Sequence, residues 1–362
     1  MSLLEVDHVT HRFPSAERPA LKDVNLSVGN DDIVALVGES GCGKTTLGKI
    51  VAGLLQPSTG SVRFEDREIS DLRGKSKKVW RRQVQLVHQD PYSSLNPGLT
   101  IGTTLGYGLL RHGFATHRTV EPRLLEILRQ VGLDATPAFL RRYPHQLSGG
   151  QRQRVAIARA ISLEPNLVVA DEVTSMLDVS MRVAILDLLL KFRERQQISF
   201  VFISHDFGVV RYFSRGGRIL VMFYGVVVED GPTEEVIANP RHPYTYLLLQ
   251  AIPVPDPDVA DMRAENEISD RLEGGASHRG CVFVDRCPFS DDRCREVPPL
   301  TEVAPGHRAA CFFPERIPTI TRSMTPEEDH GDAAGLRQSA GPGRHDTAYA
   351  GGSPPARRNV EG

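Results

Sequence analysis

No stretch of this 362-residue chain stays apolar for long. The longest nearly uncharged apolar run, Ile219 to Val228, is interrupted by Gly225 and falls far short of the roughly 18 residues a membrane-spanning helix needs, so no such helix is expected. The first residues carry Glu5, Asp7 and two histidines where a secretory leader would need a basic start and an apolar run, and the expected compartment is the cytoplasm. Charge of neither sign dominates: 43 Lys+Arg against 45 Asp+Glu leave a formal charge of -2, which weighs against a chain-wide nucleic-acid binder. Cysteine is scarce too, at five residues, which does not suggest a disulfide framework. Four of the five nevertheless cluster between positions 281 and 311, and that clustering asks for a metal explanation. No internal repeat is present.

What is there is ordinary globular material. Hydrophobic residues make up 40% and charged residues 24%, enough for a sizeable core, and the length suits one large domain with an appendage or two modest ones. Residues 1–250 read as the main domain, with a helical subdomain over about 90–160, and residues 251–315 as a C-terminal extension bearing the cysteines. A Pro-rich passage, Pro253 to Pro257, and a polar connector, Asp256 to Ser277, separate the two. Residues 316–362 hold 7 Gly and 5 Pro but one aromatic, a composition too poor in apolar surface to offset ordering entropy, so this tail is expected to be disordered.

Within the main domain, short apolar runs alternate with helical patterns, the signal of an α/β fold. Ile33 to Val37, Val84 to Val87, Leu167 to Ala170 and Phe200 to Ile203 are apolar on nearly every residue, as parallel strands covered on both faces should be. Pro122 to Leu133 reads as a helix, with Leu124, Leu125, Leu128 and Val131 on one face.

A polar group follows each strand. After the first comes Gly38-Glu39-Ser40-Gly41-Cys42-Gly43-Lys44-Thr45-Thr46, fitting G-x-x-x-x-G-K-[ST] between a strand and a helix marked by Leu47, Ile50, Val51 and Leu54. Glycines let backbone N–H groups wrap a phosphate, Lys44 reaches the terminal phosphates and the Thr45 hydroxyl suits Mg²⁺. Gln89 follows the second strand, Asp171 and Glu172 the third, and Ser204 and His205 the fourth. Ligands of open parallel sheets bind at the carboxyl ends of the strands, so one edge would collect Lys44, Gln89, Asp171, Glu172 and His205.

The division of labour follows from phosphoryl transfer, where a protein mainly positions a water and neutralises charge. Asp171 suits binding Mg²⁺ through a water, Glu172 orients or deprotonates the attacking water, and His205 keeps the γ-phosphate and that water in register. A further motif, Leu147-Ser148-Gly149-Gly150-Gln151, opens a helix. Its Ser148 and Gln151 have the spacing of a capping box and its glycines expose N–H groups, which reads either as a second phosphate-binding device or as a capped helix alone.

Together these residues resemble the ATP-binding subunit of an ABC transporter. The resemblance covers Leu3 to about Pro314: Walker A (Gly38 to Thr45), a Q-loop glutamine (Gln89), the LSGGQ signature (Leu147 to Gln151), Walker B with its glutamate (Leu167 to Glu172), a D-loop (Ser175 to Asp178) and the switch histidine (His205). It implies an ABC-type P-loop ATPase, α/β in class, with a mixed sheet core, a β-subdomain, an inserted helical subdomain and a small Cys-rich C-terminal extension. It also implies ATP with Mg²⁺ held by Thr45, Gln89 and Asp171, and a head-to-tail dimer in which Ser148, Gly149, Gly150 and Gln151 act on the partner's nucleotide. Phe13 stands where the family stacks an aromatic on adenine.

Gln89 to Pro97, Asn239 to Thr245 and the cysteine-bearing end are similar to the oligopeptide, dipeptide and nickel importer ATPases, some of which hold a [4Fe–4S] cluster on Cys-x5-Cys-x6-Cys-x16-Cys. Here those positions are Cys281, Cys287, Cys294 and Cys311. Four thiolates suffice for either a [4Fe–4S] cluster or a structural Zn²⁺, and the long spacings, unlike the paired C-x2-C of a zinc ribbon, favour iron–sulfur. Three positions depart from the family: His88 replaces a common Phe, Val173 a Pro after the glutamate, and Met176 an Ala. None removes a catalytic group.

The resemblance implies a dimer mate, more often a related chain than a second copy, two transmembrane permease subunits contacted near Tyr92 to Leu110, an extracytoplasmic solute-binding protein reached indirectly, and no nucleic acid. Its place would be the cytoplasmic face of the inner membrane, peripherally. The competing reading is a DNA-repair or chromosome-maintenance ATPase with a zinc site, but such enzymes insert coiled coils or zinc hooks between Walker A and the signature. Here that stretch has no cysteine and no sustained heptad. A translation-factor-like ATPase would need two nucleotide domains where this chain has one.

Overall fold

Alternation explains why the central strands are apolar throughout. The chain opens with β1 (Leu4–His11), β2 (Leu21–Val28) and β3 (Ile33–Val37), then α1 (Lys44–Val51), β4 (Thr59–Phe64), β5 (Arg67–Glu68), α2 (Gly74–Gln83) and β6 (Val84–Val87). On β3, Ile33, Ala35 and Val37 join one buried cluster while Val34 and Leu36 join another, so successive side chains enter cores on both faces of the sheet. These descriptions come from a computed structural model that describes residues 2–252 and 280–320. The passage at 253–257, the connector at 256–277 and the expected tail beyond 320 lie outside the described residues.

A run of helices follows: α3 (Pro91–Ser94), α4 (Ile101–His112), α5 (Val120–Gln130), α6 (Pro137–Leu140) and α7 (Gly149–Ile161). The helix expected over 122–133 is α5, begun two residues earlier because Pro122 is tolerated in a first turn. The order resumes with β7 (Leu167–Asp171), α8 (Val179–Gln196), β8 (Ser199–Ile203), α9 (Phe207–Phe213), β9 (Arg218–Phe223), β10 (Val226–Pro232), α10 (Thr233–Ala238) and α11 (Pro243–Gln250). Ile219 to Val228 is therefore a hairpin. Tyr224 and Gly225 both take positive φ, the turn that matches strand twist.

β1, β2, β4 and β5 form a small antiparallel sheet. The large sheet has the order β11-β12-β10-β9-β3-β8-β7-β6, where β11 (Thr301–Ala304) and β12 (His307–Ala309) come from the extension. Strands β9, β3, β8, β7 and β6 run parallel, and β10, β12 and β11 antiparallel, so the sheet is mixed.

The cysteine-bearing end is not a separate appendage, since the described residues fall in one compact unit, Met1–Arg322. Its strands extend the main sheet and Cys281, Phe283 and Cys294 belong to the main core. A fully buried Glu229 on β10 pins β12: it accepts from the ring Nε2 of His307 at 2.7 Å and from the backbone N–H groups of Arg241 at 2.6 Å and His242 at 3.1 Å. A buried carboxylate with one of these partners removed costs several kcal/mol, so three donors converging here fix the register. Beyond residue 315, Ile317 is buried and the Ile320 N–H donates to the Ala238 carbonyl at 3.0 Å. Among the described residues no helix is long and apolar enough to cross a membrane.

Candidate nucleotide site and cysteine pocket

The phosphate loop runs from the end of β3 into α1. Gly43 caps the helix at φ 110, and a Cβ there would strike the Ala20 carbonyl, so both backbone conformation and space demand glycine. Lys44 is buried, with its ammonium on the carbonyls of Gly38 at 2.6 Å and Glu39 at 2.9 Å. Cys42 Sγ lies 3.8 Å from that ammonium, and burial pushes its thiol pKa up despite the neighbouring positive charge.

The Thr45 hydroxyl donates to Asp171 Oδ1 at 3.1 Å. Burial, helped by the neighbouring Glu172 charge, holds the Asp171 carboxyl above the ordinary carboxylate range, against the pull of that hydrogen bond. A hydroxyl and a carboxylate paired this way are hard oxygen donors, the chemistry Mg²⁺ prefers, so the residues fit the ion.

Beside this pair, Glu172 joins two other strand ends. Its Oε2 accepts from the Gln89 amide at 2.7 Å, and its Oε1 lies 3.3 Å from His205 Nδ1. The structure brings Gln89 to Glu172, with which the sequence reading grouped it at one sheet edge; expected also beside Thr45 and Asp171 around Mg²⁺, it makes no hydrogen bond to either residue here. Glu172 has φ 45, in the left-handed region where a non-glycine residue is strained, and its backbone is bonded to Ile203 and Ser175. Such strain persists where the surroundings over-determine it, and here three strand ends do.

The signature behaves as a capped helix in this chain. Ser148 Oγ accepts from the Gln151 N–H at 3.3 Å and the Ser148 N–H donates to Gln151 Oε1 at 3.1 Å, both halves of a capping box. Among the described residues no hydrogen bond joins residues 148–151 to residues 38–46. Ser148 is exposed, Gly149 is half-buried and Gly150 lies under Met181. Phe13 is well exposed, edge-on to His11 with centroids 4.7 Å apart. Of the departures, Val173 is buried, Met176 is exposed, and His88 is half-buried with its pKa lowered by burial and by Arg159 and Lys49.

Cys281, Cys287, Cys294 and Cys311 line one apolar pocket with Phe283, Phe289, Phe312 and Phe313, and none is in a disulfide. Burial raises the thiol pKa of Cys281, and pushes Cys287 up to about 12 and Cys311 up to about 11. Among the described residues no three His, Cys, Asp or Glu converge closely enough to hold a single metal ion.

Two contacts escaped the sequence reading: the Glu39 N–H donates to the Tyr244 hydroxyl at 2.8 Å, and Arg286 pairs with the Glu39 carboxylate at 2.7 Å. Tyr244 lies in the quoted Asn239–Thr245 run and Arg286 beside Cys287, but no spacing in the sequence points either at residue 39.

The strand-end geometry, with a phosphate loop opposite a paired carboxylate and a glutamate held by glutamine and histidine, defines a P-loop ATPase. The ABC transporter family model matches residues 21–175, and the model described as the C-terminal region of oligopeptide/dipeptide transporters matches residues 228–294. A probable peptide ABC transporter ATP-binding protein of Sinorhizobium fredii, y4tS, is 40% identical over 90% of this chain and 93% of its own length. The di/tripeptide transport ATP-binding protein DppF of Pseudomonas aeruginosa is 38% identical, over 83% of this chain and 92% of its own. Among solved structures, the ATP-binding cassette MJ0796, a dimer in a post-hydrolysis state bound to ADP and Pi, is similar at 32% identity with a TM-score of 0.56, covering 64% of this chain and 98% of that one. The chain belongs to the ABC transporter ATP-binding family. These likenesses favour the transport reading over a chromosome-maintenance ATPase.

Proposed function

We propose that the chain is the ATP-hydrolysing subunit of an importer for oligopeptides or dipeptides. The observation that carries the reading is Glu172, suspended between Gln89 and His205 beside the Thr45–Asp171 pair. In this reading the phosphate-loop N–H groups and Lys44 bind the phosphates, and Phe13 offers a face to the adenine. Mg²⁺, when bound, neutralises charge on the transferring phosphoryl group, and Thr45 and Asp171 hold it. Glu172 takes the proton of the attacking water, and His205 and Gln89 fix the carboxylate that does so. Ser148 to Gln151 present a helix N-terminus to the nucleotide of a dimer mate, itself a related chain. The exposed Tyr92 and Tyr107 suit contact with permease subunits, and in this reading the protein works at the cytoplasmic face of the inner membrane.

The four cysteines fit a polynuclear iron–sulfur group better than zinc. The four cysteines are soft thiols among aromatic rings, and among the described residues no three His, Cys, Asp or Glu converge as a single zinc ion would need. Such a group would stabilise thiolates that burial alone keeps protonated, and would hold the extension together.

Vesicles reconstituted with this chain, its mate and two permease subunits test the function. The expected outcome is ATP hydrolysis coupled to peptide uptake. Hydrolysis stimulated by DNA, with none by the permeases, would overturn the reading.

A further inference from the structure

The phosphate loop is gripped from a direction that its own motif does not supply. Glu39 is the second residue of that loop, and each of its polar groups is engaged. Its carbonyl accepts from Lys44, its N–H donates to the Tyr244 hydroxyl, and its carboxylate meets Arg286 at 2.7 Å and 3.4 Å. Tyr244 is fully buried on α11, and Arg286 precedes Cys287 in the cysteine-bearing segment.

Arg286 is unusually buried for an arginine. Its side chain is 5% exposed, and its guanidinium lies over the rings of Phe223 at 5.0 Å and Phe283 at 5.4 Å. Phe283 packs against Tyr244 with centroids 5.5 Å apart, so the groups that hold Glu39 form one block with the cysteine segment. The electrostatic sign is definite. A carboxylate inside a loop that wraps a triphosphate opposes that ligand, and a buried guanidinium paired with it removes the opposition.

We propose that Arg286 and Tyr244 are positioning residues for ATP: together they fix the Glu39 peptide and neutralise its carboxylate, so that the cysteine-bearing segment sets the nucleotide affinity of the phosphate loop. The inference rests on the reading of residues 38–46 as the ATP-binding loop.

Equilibrium titration of the full chain with a fluorescent ATP analogue, alongside steady-state hydrolysis, is the test. Arg286→Ala weakens binding about tenfold, because it strands a carboxylate beside the phosphates. The loss falls on KM, with kcat at saturating ATP kept within about twofold. Arg286→Lys recovers part of it. Adding Glu39→Gln to Arg286→Ala brings affinity back to within about threefold of wild type, a suppression that mere loss of packing would not allow. Tyr244→Phe keeps the buried ring and costs about threefold.

Unchanged affinity in Arg286→Ala, or an affinity loss that Glu39→Gln does not relieve, overturns the proposal. If Arg286→Ala fails to fold, Tyr244→Phe decides, and wild-type affinity in that variant overturns it. A wild-type chain that binds no ATP would instead remove the loop assignment itself, and the inference with it.

Discussion

The nucleotide edge and the cysteine pocket face each other across Glu39 and Arg286, yet they solve opposite problems. The edge gathers Lys44, Thr45, Gln89, Asp171, Glu172 and His205 from the ends of β3, β6, β7 and β8, and it meets each charge with polar partners: Lys44 on a loop carbonyl, Asp171 on a hydroxyl, Glu172 on an amide and an imidazole. The pocket buries Cys281 and Cys294 and half-buries Cys287 and Cys311 among phenylalanine rings, where burial keeps those that shift neutral. In the first, Lys44, Asp171 and Glu172 each have hydrogen-bond partners within the edge. In the second, burial disfavours the charged form of Cys281, Cys287 and Cys311, and under the proposed reading a soft metal group would supply the compensating charge.

The largest effect is expected where the edge loses its cation. Lys44→Ala should weaken ATP binding by about a hundredfold or more, since a buried ammonium amid the loop carbonyls is the charge that meets the phosphates. The cysteine pocket should remain intact, and isothermal titration with iron analysis reads both. Equal loss of iron and nucleotide would erase the distinction between the regions.

The complementary change is Cys287→Ser. Purified without oxygen, wild type should carry iron and sulfide, and the variant should lose both and melt roughly 5 °C lower. Nucleotide binding should fall only as far as the Arg286 contact loosens. Zinc without iron in the wild-type chain would contradict the assignment of the pocket.

A smaller effect sharpens the comparison through pH. His242 lines the cysteine pocket, accepts from the Tyr244 N–H through Nδ1, and has its pKa pushed down to about 3 by burial. The unfolded chain takes up that proton near the ordinary value of 6.5 and the folded chain does not. Stability from this group is thus present above 6.5 and lost as pH falls toward the folded value, by about 1 kcal/mol over the first pH unit. His242→Asn keeps an acceptor for the Tyr244 N–H and should flatten that slope in chemical denaturation. An unaltered slope would show that the histidine is not buried neutral.

The legible parts of the fold were those written in local pattern. Apolar runs located β3, β7 and β8, because a strand covered on both faces has almost no polar position to spare, and the edge strand β6 was legible despite its Gln85; polar residues at their ends located the nucleotide edge. The two strands of the extension were not legible. β11 is largely exposed and polar, and β12 spans three residues, so neither carries an apolar period, and they join the sheet through the remote partners Glu229 and Asp230. That Gln89 and Glu172 share an edge was legible, but their direct hydrogen bond was not, since strand order in space decides which ends are neighbours. Arg286 at Glu39 is a contact between segments 247 residues apart, and sequence spacing carries no information about it.

The most direct test is a measurement on Glu172→Gln, which keeps an acceptor for Gln89 and removes the carboxylate that would take the water's proton. In a single-turnover assay the account predicts ATP binding close to wild type and hydrolysis slower by about a hundredfold or more. Hydrolysis near the wild-type rate would contradict it.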